Sequence, residues 1–209
     1  TSFSAGMSEA LAQLAEEIRA CRICVDCPLG KPLPHEPRPV FIASNTARIL
    51  IAGQAPGTRV HVSGRPFTDP SGDRLRSWLG VTSDQFYDSG QFAIAPMGFC
   101  FPGLDANGSD LPPRKECAPV WRERLLALMP QIELVIAIGG YAHRWHLDTA
   151  SVQTVQRTVE EWRVHASRTF PGFTLPHPSW RNSGWLKRNS WFEAELLPEL
   201  RKAVHRYTT

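Results

Sequence analysis

Four apolar runs, each too short for a helix and each followed by a stretch with helical periodicity, constrain the fold more than anything else in this chain. Residues 48–52 (Arg48-Ile49-Leu50-Ile51-Ala52), 92–97, 132–138 and 172–175 read as strands. Strands that are apolar throughout are buried on both faces, as in a parallel sheet covered by helices on each side. Helices are predicted over 71–79, 113–129, 141–147 and 154–165. A first helix over 8–22 places Leu11, Leu14, Ala15 and Ile18 on one face behind a Ser8 N-cap. A last helix runs from Asn189 towards the C-terminus, and Pro198 should bend or divide it. Pro28, Pro32, Pro34, Pro37 and Pro39 exclude regular structure between Cys27 and Pro39. A length of 209 residues is enough for one sizeable core and short for two. The expectation is one three-layer α/β/α domain over residues 1–209 with a short central parallel sheet.

In such sheets ligands sit beyond the carboxyl ends of the strands, where the strand order switches. Two motifs fall at such ends. Gly53-Gln54-Ala55-Pro56-Gly57 follows the first strand and forms a tight turn whose bare backbone N–H groups can approach a ligand. His177-Pro178-Ser179 follows the last strand and presents an imidazole from a loop stiffened by Pro176 and Pro178. Taken alone, His177 is better read as a loop histidine bonded to a carbonyl. Charge adds little: a net charge of +3 and a pI near 8.7 permit contact with a phosphate backbone without requiring it. No apolar stretch reaches the ~20 residues of a membrane span, and Thr1–Leu11 lacks the basic start and apolar centre of a secretory signal. A cytoplasmic monomer that binds no membrane is expected.

The two motifs stand in order with Gly64-Arg65-Pro66-Phe67, Ser71-Gly72, Cys100 and Cys117. Together they resemble the uracil-DNA glycosylase superfamily, and most closely its iron-sulfur-containing branch. The resemblance implies that fold and a DNA-repair enzyme, a monofunctional glycosylase. It would hydrolyse the N-glycosidic bond of uracil, or of another deaminated base, and leave an abasic site. It implies that His177 donates to the departing base, assisted by the backbone N–H groups of Gln54 and Ala55, and that Phe67 stacks on a flipped base bound beside Gly53 and Gln54.

Two positions depart from the family. Ala55 stands where an aspartate orients the attacking water in the best-known members, which leaves Asp69 and Asp73 as substitutes or as helix caps. Pro96 stands where the iron-sulfur branch has an asparagine that reads the uracil edge, which leaves Gln54 and Asn182 as the available amides. Gly57 replaces a bulky tyrosine, so a wider pocket is expected.

Ser179, Trp180, Arg181, Lys187 and Arg188 are expected to contact DNA, with Trp180 or Arg181 as the wedge. Trp185 reads equally well as part of this surface or as packing for the last helix. Four of Cys21, Cys24, Cys27, Cys100 and Cys117 are expected to hold a [4Fe–4S] cluster, with a structural zinc as second choice and unliganded thiols as the plain alternative. The rival function is a low-turnover protein of the same fold that grips damaged bases or abasic sites. A hydrolase of free nucleosides would have no use for the aromatic and basic loop after His177.

Overall fold

The computed structural model describes residues 7–147, 154–166 and 172–208. The first six residues, part of the stretch read for a secretory signal, lie outside the described residues. Four parallel strands, β1 (Ile49–Ala52), β2 (Phe92–Ile94), β3 (Leu134–Ile138) and β4 (Gly172–Leu175), form one sheet in the order β2-β1-β3-β4. Alternation sends successive side chains to opposite faces. Ile49, Ile51, Phe92, Ile94, Leu134, Ile136, Phe173 and Leu175 pack on one side, against α4 (Pro70–Leu79), α5 (Ser83–Tyr87), α8 (Val155–Glu160), α9 (Trp162–Ala166) and α11 (Leu197–His205). Leu50, Ala52, Ala93, Val135 and Ala137 pack on the other, against α1 (Glu9–Arg19), α6 (Cys117–Ala127) and α7 (Gly140–His146). Three of those five are alanines, which lets helices approach the sheet closely. The three-layer architecture expected from the apolar runs is present.

Hydrogen bonding to β1 passes Pro96, with Ala95 N–H donating to the Ile51 carbonyl at 3.0 Å and Met97 N–H to the Gly53 carbonyl at 2.9 Å, while the regular strand ends at Ile94, short of the predicted 97. The C-terminal helix divides at Pro198 as expected: a π-helical turn over Phe192–Leu196 leads into α11, and Pro198 lies in the first turn of α11. The segment predicted as one helix over 154–165 is two, α8 and α9, interrupted at Glu161. Four short helices escape the sequence pattern: α2 (Ile23–Asp26), α3 (Thr58–Ser63), α5 and α10 (Ser183–Arg188). Each spans only four to six residues, too few to establish a period.

Candidate active site

The strand order places β2 and β3 on opposite sides of β1, so the carboxyl end of β1 is where the connections diverge. The Gly53–Gly57 turn sits there. Met97 N–H donates to the Gly53 carbonyl and Gly98 N–H to the Gln54 carbonyl, both at 2.9 Å, which ties the turn to the loop after β2. Across the divergence, the Gln54 side chain lies over Gly139. Gly139 has φ +81°, which favours glycine, and a Cβ there would stand 2.6 Å from Gln54 Nε2 and displace that amide. Gln54, Ala55, Phe67, Asp69, Asp110 and His177 line the pocket above this floor.

Phe67 is the one non-glycine residue with positive φ among the described residues, at 55°. Such strain persists where surrounding structure over-determines it. Here Tyr87 Oη donates to the carbonyls of Pro66 (2.8 Å) and Phe67 (3.0 Å), and Arg76 Nη1 donates to the latter at 3.1 Å. The Phe67 ring meets Phe86 edge-on at 5.9 Å and ends 3.4 Å from where a Gly53 Cβ would be. It is therefore a fixed aromatic wall and only partly buried.

His177 arrives on β4, whose last carbonyl, that of Leu175, accepts from Gly139 N–H at 3.0 Å and faces His143 Nε2 at 3.1 Å. Asn182 Nδ2 donates to the His177 carbonyl at 2.6 Å. Asn182, a candidate base reader, thus commits its amide to the histidine loop and lines no wall of the pocket. Burial lowers the His177 pKa below that of an ordinary histidine, while the carboxylates of Asp69 and Asp110 act on it in the opposite direction.

The two substitute carboxylates separate. Asp69 occupies the N-cap position of α4 without capping a backbone N–H, accepts from Ser71 Oγ and lines the pocket. Asp73 pairs with Arg76 at 2.6 Å with its side chain 80% exposed, outside the pocket. Asp110 escaped sequence reasoning because it lies in an irregular loop with no motif around it. Burial raises its pKa, the His177 charge lowers it and Asp69 raises it. Its Oδ2 would stand 3.3 Å from a Cβ at Gly57, so a carboxylate fills part of the room expected there.

The pocket opens into a groove lined by Ser179, Trp180 and Arg181, joined by Arg59, Arg74 and Tyr141. Trp180 is 75% exposed, with the Arg181 guanidinium 5.9 Å from its ring centroid. Arg74 holds the loop, donating to the Ser179 carbonyl at 2.8 Å and Ser183 Oγ at 3.2 Å. Lys187 and Arg188 are exposed on α10, outside this groove. Trp185 packs edge-on against Trp191 and Phe192, both at 5.8 Å, and belongs to the core.

Cys21, Cys24, Cys100 and Cys117 line one small pocket, whereas Cys27 is exposed and apart from it. Two of the four accept an N–H: Trp121 Nε1 donates to Cys21 Sγ at 3.2 Å and Phe99 N–H to Cys117 Sγ at 3.3 Å. Burial pushes the thiols of Cys100 and Cys117 up to about 12. Among the described residues no three Cys, His, Asp or Glu side chains are grouped as a single-ion site.

No helix among the described residues is long and apolar enough to cross a membrane. The sequence model of the Uracil DNA glycosylase superfamily matches residues 39–201. That span carries all four strands, the 53–57 turn, Phe67, Asp69, Asp110 and the His177 loop, while Cys21 and Cys24 precede it. A match over most of the chain, on a parallel sheet whose strand ends gather those residues around one pocket, makes this chain a member of the uracil DNA glycosylase superfamily.

Proposed function

We propose that the protein removes uracil from DNA by hydrolysing its N-glycosidic bond and leaves an abasic site. The observation that carries this reading is a half-buried histidine that shares a pocket with two carboxylates and is walled by a strained phenylalanine. As the bond breaks, the sugar becomes cationic and the base departs as an anion. His177, neutral at pH 7 because of its burial, donates a hydrogen bond to that anion and keeps its proton. The N–H groups of Gln54 and Ala55 add fixed donors, and a donor of this kind is worth about 3 kcal/mol. Asp69 orients the attacking water and accepts its proton, taking the part that Ala55 leaves vacant. Phe67 stacks on the base face, and Trp180 fills the gap in the duplex.

The low-turnover binding protein rests on Ala55 and Pro96; Asp69 in the same pocket weighs against the first of these, while Pro96 lines the pocket with no amide side chain. Single-turnover assays on oligonucleotides containing uracil, hypoxanthine, xanthine or mispaired thymine decide between the two. Fast release of uracil supports the glycosylase. Tight binding of damaged DNA without base release sinks it.

The four converging cysteines support a [4Fe–4S] cluster held by Cys21, Cys24, Cys100 and Cys117. Four thiols around one pocket, with N–H donors to the sulfurs of Cys21 and Cys117, suit such a group. A structural zinc on the same thiolates is the second reading, and colourless, anaerobically prepared protein with stoichiometric zinc would favour it. The cluster would tie the N-terminal segment to the loop after β2 and take no part in the chemical step. Anaerobically purified protein should be brown with broad absorbance near ~400 nm. Cys27→Ser should keep the colour and Cys117→Ser should lose it; the reverse pattern would refute this ligand set.

A further inference from the structure

Arg122 is the largest fully buried side chain among the described residues, with 0% exposure. It lies on α6, five positions after Cys117. Nη1 donates to the carbonyls of Ala95 (2.8 Å) and Pro96 (3.1 Å), and Nη2 lies 2.6 Å from His146 Nε2. Burial and the Arg122 charge push His146 down to about 3, so its ring is neutral and accepts. Nε has no partner. Among the described residues no carboxylate pairs with this guanidinium, although eleven other ion pairs form. Even with its pKa lowered to about 10 by burial, the group is a cation at neutral pH. The loop that carries those two carbonyls continues through Gly98, Phe99 and Cys100, which line the cysteine pocket.

An unpaired buried cation is costly to desolvate, and neutral carbonyls and an imidazole offset that only in part. A tetrathiolate [4Fe–4S] group carries a net charge of about −2, and Cys117 would hold it on the same helix. The second contact of Arg122 is to Pro96, whose residue lines the base pocket.

We propose that Arg122 is the buried counter-cation of a cluster held by Cys21, Cys24, Cys100 and Cys117, and that it links the cluster to the pocket wall at Pro96. This rests on the cluster reading above. A nearby cation favours the reduced, more negative cluster and therefore raises its reduction potential.

The test is a spectroelectrochemical titration of the purified holoprotein and of Arg122→Lys, Arg122→Gln and Arg122→Met, with iron and sulfide content measured for each. The potential should fall in Arg122→Gln and Arg122→Met and stay near the wild-type value in Arg122→Lys. Thermal unfolding supplies a second measurement: removing the cluster should destabilise the wild type more than Arg122→Met, because only the wild type is left with an uncompensated buried charge. A cluster that retains its potential in all three variants and stabilises wild type and Arg122→Met equally would overturn this proposal alone. Wild-type protein without iron would overturn the cluster reading and this proposal together.

Discussion

Gly72 runs directly beneath the Phe67 carbonyl: a Cβ at Gly72 would stand 1.9 Å from that oxygen and 2.9 Å from Phe67 Cβ. Backbone cannot yield as a flexible side chain does, so Gly72→Ala must displace Phe67 and with it the aromatic wall. Loss of base stacking costs ~1–3 kcal/mol, so the single-turnover rate on uracil should fall by about 5- to 150-fold. Tyr87→Phe, which removes only the hydroxyl that bonds the Pro66 and Phe67 carbonyls, should show a smaller loss in the same direction. Wild-type rates in both variants would mean that the conformation of Phe67 does not matter to the reaction.

His177→Ala should lower the chemical step by about 100-fold or more, the scale of one lost donor to a developing anion, with little change in DNA affinity. The pH dependence has a definite sign. Because burial lowers the folded-state pKa, the unfolded chain binds a proton at His177 at a higher pH than the native protein. The stability this represents is complete above about 6.5 and is lost as the pH falls towards the native value. An NMR titration should place His177 below 6.5, and lower again in Asp110→Asn, which removes a charge that holds it up. Titration at or above the ordinary value would contradict the neutral-donor role.

Asp69 and Asp73 look interchangeable in sequence and are not in space. Asp69→Asn should reduce the single-turnover rate by about 10²-fold or more if its carboxylate orients and deprotonates water. Asp73→Asn should leave the rate within about twofold, since an exposed ion pair with Arg76 contributes little. Equal effects from the two would remove Asp69 from the mechanism.

Trp180→Ala should cost more activity on duplex than on single-stranded DNA, because only the duplex must be unstacked and unpaired, at a few kcal/mol. Arg59 and Arg74, which line the groove, should govern the salt dependence: loss of one phosphate contact reduces the slope of log affinity against log salt by about one unit. Lys187→Ala, outside the groove, should change that slope less. A dominant effect from Lys187 would shift the DNA path onto α10.

The layers of the fold were legible because burial on both faces leaves a strand no polar alternation, and that pattern survives in the residues themselves. Pro198 was legible for a similar reason: its missing N–H acts on the helix that contains it. The Gly53–Gly57 turn and His177 were found because strand ends and local turn chemistry mark them. Choices among like residues were decided only by the tertiary structure. Sequence could not separate Asp69 from Asp73, or Cys27 from Cys21 and Cys24, since each set shares a segment and differs in which side chain the packed chain turns inward. Asn182 offered an amide of the right chemistry, but its place in the 3-10 turn that follows His177 commits it to the histidine carbonyl. Asp110 and Arg122 carried no local signal at all. One meets the pocket from a loop over fifty residues beyond Gly57, and the other is an ordinary helix arginine until the sheet closes over it, because burial and charge proximity are properties of the folded chain and not of any segment within it.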